Sequence, residues 1–287
     1  MGVGLRTVVV MLAGLASACG AVVLPPEVVP APKQEKVEPQ PVASFVTPVV
    51  HSGPRDEMRI ALTFDACPTA SAYDERITKT LTETKTPATL FLSGSWVKHR
   101  PQSALELANN PLFELGNHSY THKHMPQLKK DGDVLDELLR TQEEIYNLTG
   151  RIPAYFRPPF GEFDTRLAYL VGKAGLTTIE FDLASGDPDE HATKQKLVNW
   201  VLKQARPGGI VVMHINHRQF PTAEALPEII QGLRKRGYEL VTVGQLLNER
   251  PPPLCSDPLR VSPPAAPVAP AVALSALEGA VSSISVP

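Results

Sequence analysis

Ala61-Leu62-Thr63-Phe64-Asp65-Ala66-Cys67-Pro68 opens the part of this chain that decides its fold. An apolar run of strand length ends in a carboxylate and is then broken by proline. The same design returns four times. Gly116-Asn117-His118-Ser119-Tyr120-Thr121-His122 follows the apolar Leu112–Leu115. Then come Tyr155-Phe156-Arg157-Pro158-Pro159-Phe160-Gly161, Phe181-Asp182-Leu183-Ala184-Ser185-Gly186-Asp187-Pro188 and Ile210-Val211-Val212-Met213-His214. Each starts strand-like and finishes in residues that move a proton, hold a charge or bind a metal. A barrel of strand–helix units collects its strand ends on one face, so five such endings can meet in one cleft.

Between these endings the apolar period changes. Ile60–Phe64, Ala88–Leu92, Leu112–Leu115, Leu176–Phe181, Ile210–Met213 and Glu239–Val243 are runs of strand length. Val134, Leu135, Leu138, Leu139, Ile145 and Leu148 recur at helical spacing, with Gly150 where a helix stops. Leu226, Ile229, Ile230 and Leu233 repeat the pattern up to Gly237, and Leu197 and Val201 do so before Pro207-Gly208-Gly209. Strands alternating with helices give an α/β class with a parallel sheet, as a barrel or a doubly wound layer.

The flanks differ from this core. Residues 1–23 read as an export signal, with Arg6, an apolar Val8–Leu15 run and the small Ala16-Ser17-Ala18 cleavage site. That run is far short of the ~20 residues that span a bilayer. Cys19 follows directly, so two readings stand: a plainly cleaved signal, or a lipoprotein signal with Cys19 as the lipid anchor. Residues 24–54 form a Pro-rich linker, residues 55–250 the folded domain, and residues 251–287 a Pro/Ala-rich tail expected to be disordered. A net charge of −2 with 20% charged residues gives no sign of a nucleic-acid partner. Cys67 and Cys255 either form a disulfide, in an oxidising compartment, or stay as two buried thiols. Oligomeric state has no signature.

The chemistry follows from residue type. His118 and His122 lie four apart, a spacing that turns both imidazoles to one side for a divalent metal. His99 and His124 lack such support and read as surface residues. Asp65 closes an apolar strand, where a carboxylate is costly unless paired or catalytic. Arg157, fixed by two prolines, suits the role of its partner and keeps it ionised. His214 ends its strand as a general acid near neutral pH. His217 reads as solvated.

Together these segments resemble the NodB-homology polysaccharide deacetylases, carbohydrate esterase family 4. Thr63-Phe64-Asp65, His118-Ser119-Tyr120-Thr121-His122 and Arg157-Pro158-Pro159-Phe160-Gly161 carry the likeness, with Pro87-Ala88-Thr89-Leu90-Phe91 and Gly116-Asn117 in support. The resemblance implies a distorted, seven-stranded (β/α) barrel. It implies Asp65 as general base, His118 and His122 as metal ligands, and His214 as general acid. Arg157 would pair with Asp65, and Asp187 or Asp182 would orient His214. Phe160, through its backbone amide, and Tyr120 are the expected substrate contacts. The metal would be zinc, with cobalt or manganese as alternatives.

This chain also departs from the family pattern. Ala66 stands where the family has a second aspartate, normally the third protein ligand, and Cys67 where it has glycine. Ala184 and Pro188 replace the middle aspartate and the tryptophan of the fourth motif. Three outcomes stay open: Asp65 moves onto the metal, Cys67 turns inward as a thiolate, or the chain is a metal-free hydrolase of the same fold. The expected activity is removal of N-acetyl groups from an exported amino-sugar polymer, peptidoglycan or exopolysaccharide, at the periplasm or cell envelope. The rivals are a carbohydrate-binding protein of the same fold without turnover and a hydrolase of another amide.

Overall fold

The structure, a computed structural model, describes residues 48–248. The expected signal, the Cys19 anchor, most of the linker, the tail and Cys255 lie outside the described residues.

The chain begins with β1 (Arg59–Ala66), α1 (Glu75–Glu83), β2 (Ala88–Leu92), α2 (Gly94–His99), α3 (Pro101–Asn109) and β3 (Phe113–Asn117). Next come α4 (Asp131–Thr149), β4 (Tyr155–Phe156), α5 (Thr165–Lys173), β5 (Thr177–Thr178) and β6 (Leu183–Ala184). The last elements are α6 (Lys194–Gln204), β7 (Gly209–His214), α7 (Thr222–Lys235), β8 (Glu239–Val241) and α8 (Val243–Leu246). Gly150 ends α4 in the left-handed conformation, φ 68°, as its place in the pattern requires. All pairings are parallel. Seven strands follow the order β5-β4-β3-β2-β1-β7-β6, and β8 adds to the start of β1. This is the distorted barrel expected, with β8 beyond the seven-stranded path.

Strand alternation divides β1 between two environments. Ile60, Leu62, Phe64 and Ala66 join the large apolar cluster under the helices. Ala61 faces the other way, into a smaller cluster with Phe91, Tyr155, Ile179, Ile210, Val241 and Leu246 that fills the barrel interior. Above that floor stand the polar ends of the same strands.

Packed structure begins ahead of the boundary expected at residue 55. The Val50 amide donates to Thr178 O, and Glu180 N donates to Val50 O. Farther along, Gly53 N reaches Gly208 O, and Arg55 reaches Pro207 O and Asp182. Residues 50–55 thus run as a strap from the β5 end of the path to the turn before β7. The terminal strands β5 and β6 are two residues long, so their edges leave backbone groups for another segment to pair.

Candidate active site

Parallel pairing puts the chemistry at one rim. Asp65 on β1 is in register with His214 on β7, and Asn117 on β3 with Phe156 on β4. His118 and Arg157 are therefore the first residues beyond two neighbouring strand ends. Cys67 is the first beyond β1.

Arg157 is buried, and all three of its guanidinium nitrogens donate hydrogen bonds. Nη1 donates to Asp65 Oδ1 at 2.9 Å and to Thr63 Oγ1 at 2.7 Å. Nη2 and Nε reach the carbonyls of Glu180 and Ile179 at 3.3 and 3.4 Å, and the Phe91 ring lies 4.2 Å from Cζ. Burial alone would raise the pKa of Asp65. The charge of Arg157, those of His118 and His214 and the Arg157 hydrogen bond together outweigh it and hold the carboxyl below the ordinary value.

Beside this pair, single ligating atoms of Cys67, His118 and His122 lie within 4.8 Å of one another. Cys67 Sγ is 3.5 Å from His122 Nε2. His118 Nδ1 is 2.8 Å from the Arg157 carbonyl, so that nitrogen carries the proton and Nε2 is left as a donor atom. Burial lowers the pKa of His118. It lowers that of His122 to about 4, with the charge of His118 second, so both imidazoles are neutral at neutral pH. Burial, with Asp65 and Asp187 adding to it, pushes the Cys67 thiol up to about 12. Asp65, expected also as a ligand, is not one of the three clustered residues. Its Oδ1 is held by Arg157, and its Oδ2 faces His118 Nε2 from 3.8 Å.

The loop bearing the histidines is held in an unusual shape. Ser119 and His122 have φ of 59° and 60°, a conformation seldom taken by residues with a side chain. Asn117 Oδ1 accepts from Ser119 N, and Ser119 Oγ accepts from His122 N. From α4, the buried Glu137 accepts from Thr121 N and Lys123 Nζ. The carbonyls of Ser119 and Tyr120 accept the first amides of α2. Tyr120, expected at the substrate, instead packs inward, with its ring 3.9 Å from the Arg140 guanidinium. Its ring edge lies against Gly94 at the start of α2.

Across the rim, the buried Asp187 accepts from His214 N at 2.8 Å and from Thr222 Oγ1 at 2.8 Å through Oδ2. Its Oδ1 faces His214 Nδ1 at 3.1 Å and accepts from Ser185 Oγ. Burial opposes a charge on His214, but the hydrogen bond and charge of Asp187 prevail and raise its pKa. Asp187 is thus the residue that orients His214. Asp182 is not: it accepts from Ile210 N and Arg55, at the opposite end of β7. Four residues of strand, about 13 Å, separate Ile210 from His214.

Two aromatic walls flank the rim. Phe160, exposed and at φ 62°, stacks on His124 with centroids 4.1 Å apart and meets His122 edge-on at 4.7 Å. His217, read as solvated, instead stacks on Phe220 at 4.6 Å, and His214 meets both edge-on. Sequence reasoning also missed Asn216, Glu137 and Glu180. Glu180 is buried, its Oε1 has no hydrogen-bond partner, and burial lifts its pKa to about 7. No local motif marks these three; their roles come from contacts across the fold.

The sequence pattern that describes polysaccharide deacetylases matches residues 52–179. The chain is 30% identical over 201 residues to the peptidoglycan-N-acetylmuramic acid deacetylase PdaA of Bacillus subtilis, covering 69% of this chain and 74% of that one. With a peptidoglycan-N-acetylglucosamine deacetylase of Bacillus cereus it shares 30% over 200 residues, 68% of this chain and 90% of the relative. Two further relatives are longer: the chain spans 65% of the uncharacterized YlxY of Bacillus subtilis and 47% of the Listeria monocytogenes deacetylase PgdA. Among solved structures, PdaC of Bacillus subtilis superimposes with a TM-score of 0.59 at 31% identity, over 68% of this chain and 92% of that one. A carbohydrate esterase family 4 pseudoenzyme from Bacillus anthracis gives 0.65 at 28%, over 71% and 70%. The chain belongs to the polysaccharide deacetylases of the NodB-homology type, carbohydrate esterase family 4.

Proposed function

We propose that this chain is an exported hydrolase that removes N-acetyl groups from an amino-sugar polymer, with peptidoglycan as the first candidate. One observation carries the reading. Asp65 and His214 sit side by side on paired strands, each with its own partner, and their pKa values are pushed in opposite directions. That is how a base and an acid are told apart in one cleft. The named substrates of the relatives support peptidoglycan.

In this reading His118 and His122 help hold a divalent cation, zinc first. Two neutral imidazoles and a third donor at this spacing fit such an ion. When bound, it polarises the acetamide carbonyl and eases deprotonation of water. Asp65, kept ionised by Arg157, takes the proton of the attacking water. The Phe160 backbone amide would help hold the developing oxyanion. Nε2 of His214 delivers a proton to the departing amine while Asp187 holds Nδ1. Without that proton the amine is a poor leaving group.

Acetate release from peptidoglycan fragments and chitooligosaccharides, with zinc supplied, tests this reading. A second reading has its own support: Ala66 removes a family carboxylate, and one structural relative is a pseudoenzyme for which a mutant with restored activity is described. Polymer binding without acetate release would favour it. Export and anchoring rest on residues 1–23. Labelled palmitate on the wild type but not on Cys19→Ala would mark a lipoprotein, and its absence from both a cleaved signal.

A further inference from the structure

We propose that Cys67 is the third protein ligand of the metal site, so that this chain carries a Cys-His-His centre in place of the family's carboxylate-based one. The inference deepens the metal-assisted reading and rests on it only in taking the cluster as a metal site.

Three observations converge. First, Ala66 belongs to the apolar cluster under the helices and offers no donor atom. Second, the thiol one residue later is close to where a ligand would stand. Bonds of about 2.3 Å to sulfur and about 2.0 Å to nitrogen, at the tetrahedral angle, put the two atoms about 3.5 Å apart. The separation of Cys67 Sγ from His122 Nε2 is 3.5 Å. Third, the backbone of Cys67 is clamped at both polar groups by one buried side chain. Asn216 Nδ2 donates to Cys67 O at 2.6 Å, and its Oδ1 accepts from Cys67 N at 3.3 Å. This clamp sets the direction of the Cα–Cβ bond. The alternative ligand, Asp65, has one oxygen held by Arg157 and lies outside the group of three whose ligating atoms cluster.

The chemistry has a consequence for the metal. A thiolate with two imidazoles favours zinc and cobalt over magnesium, calcium and manganese, which prefer oxygen donors. The cation displaces the thiol proton to solvent as the sulfur–metal bond forms, so the step needs no oxidant or other co-reactant.

Cobalt(II) titrated into the reduced full-length protein tests the proposal without any substrate. Thiolate ligation gives a sulfur-to-cobalt charge-transfer band in the near ultraviolet. We expect that band in the wild type and its loss in Cys67→Ser. Cys19 and Cys255 are present in both proteins, so the difference reports Cys67. Zinc affinity should fall at least 10- to 100-fold in Cys67→Ser, the range already seen on removing a partner that only supports a ligand. Cys67→Ala should behave likewise, with circular dichroism confirming that each variant is folded. A wild type that binds cobalt without the band, an unchanged band or zinc affinity in a folded variant, or a wild type that binds neither metal overturns the proposal. Because no turnover is read, a protein with the band and no acetate release would keep this inference while removing the deacetylase reading.

Discussion

Burying Asp65 and Arg157 together strips two ions of water, a loss of several kcal/mol each that one hydrogen bond does not recover. The deficit is met by the further bonds to Thr63 and to the carbonyls of Ile179 and Glu180. Asp65→Asn keeps an acceptor for Arg157 but loses the group that takes a proton. Its kcat should fall by about 10²-fold or more, while metal content is unchanged. Steady-state acetate release and metal analysis on the same sample check this; near-wild-type turnover would remove Asp65 as the base. The histidines should separate by role. His122→Ala should lower metal content and rate together, because its Nε2 stands against Cys67 Sγ. His214→Ala should lower the rate with full metal content, since its bonds go to Asp187. Equal metal content in the two variants would contradict the assignment.

The elements supply these side chains only because loops fasten them. The loop after β3 keeps two residues at positive φ, a cost of about 1–3 kcal/mol at each such position, which the Asn117, Ser119 and Glu137 bonds offset. The strap of residues 50–55 is fastened where Gly208, at φ 71°, passes beneath it. A methyl group at Gly208 would meet the Gly53 carbonyl oxygen at 2.5 Å and the Pro54 carbonyl oxygen beside it. Backbone cannot yield as a flexible side chain does. Gly208→Ala should therefore destabilise the domain by roughly 2 kcal/mol or more, from left-handed strain plus the clash. Urea unfolding measures it; a change below about 0.5 kcal/mol would mean that the strap is not fastened there.

For the whole molecule, acid and base give opposite limbs to the pH profile. Asp65 must be ionised and lies below the ordinary carboxylate value, so kcat/KM should rise at pH values where a free aspartate is still largely protonated. His214 must be protonated and lies above the ordinary histidine value, so the alkaline fall comes later than for a free imidazole. Asp187→Asn should move the alkaline limb to lower pH, because the hydrogen bond and charge of Asp187 are what raise it. An unmoved limb would sever the two residues. Stability follows the same signs. The contribution of His214 is complete below the ordinary histidine value and is lost as pH rises through its folded value. That of Asp65 is present above the ordinary carboxylate value and is lost as pH falls through its folded value.

The sequence by itself determined which residue types stand at the strand ends and in what order. Apolar periodicity and the breakers that follow it are local, so β1, β2, β7 and the three helices α4, α6 and α7 were legible. Once strand ends gather at one rim, His118, His122, Arg157 and His214 had to be neighbours. Four decisions lay beyond it, each because it depends on contacts far along the chain. Asp187 rather than Asp182 serves His214 because one meets the end of β7 and the other its start. Tyr120 turns inward to pack beside Gly94 of α2 and under Arg140 of α4. The strap of residues 50–55 exists only as pairings with distant segments. Whether Cys67 faced the histidines was open in the sequence. Asn216, 149 residues away, clamps its backbone and aims the thiol at His122. A side chain's direction is set by the fold around it, and composition carries no record of that.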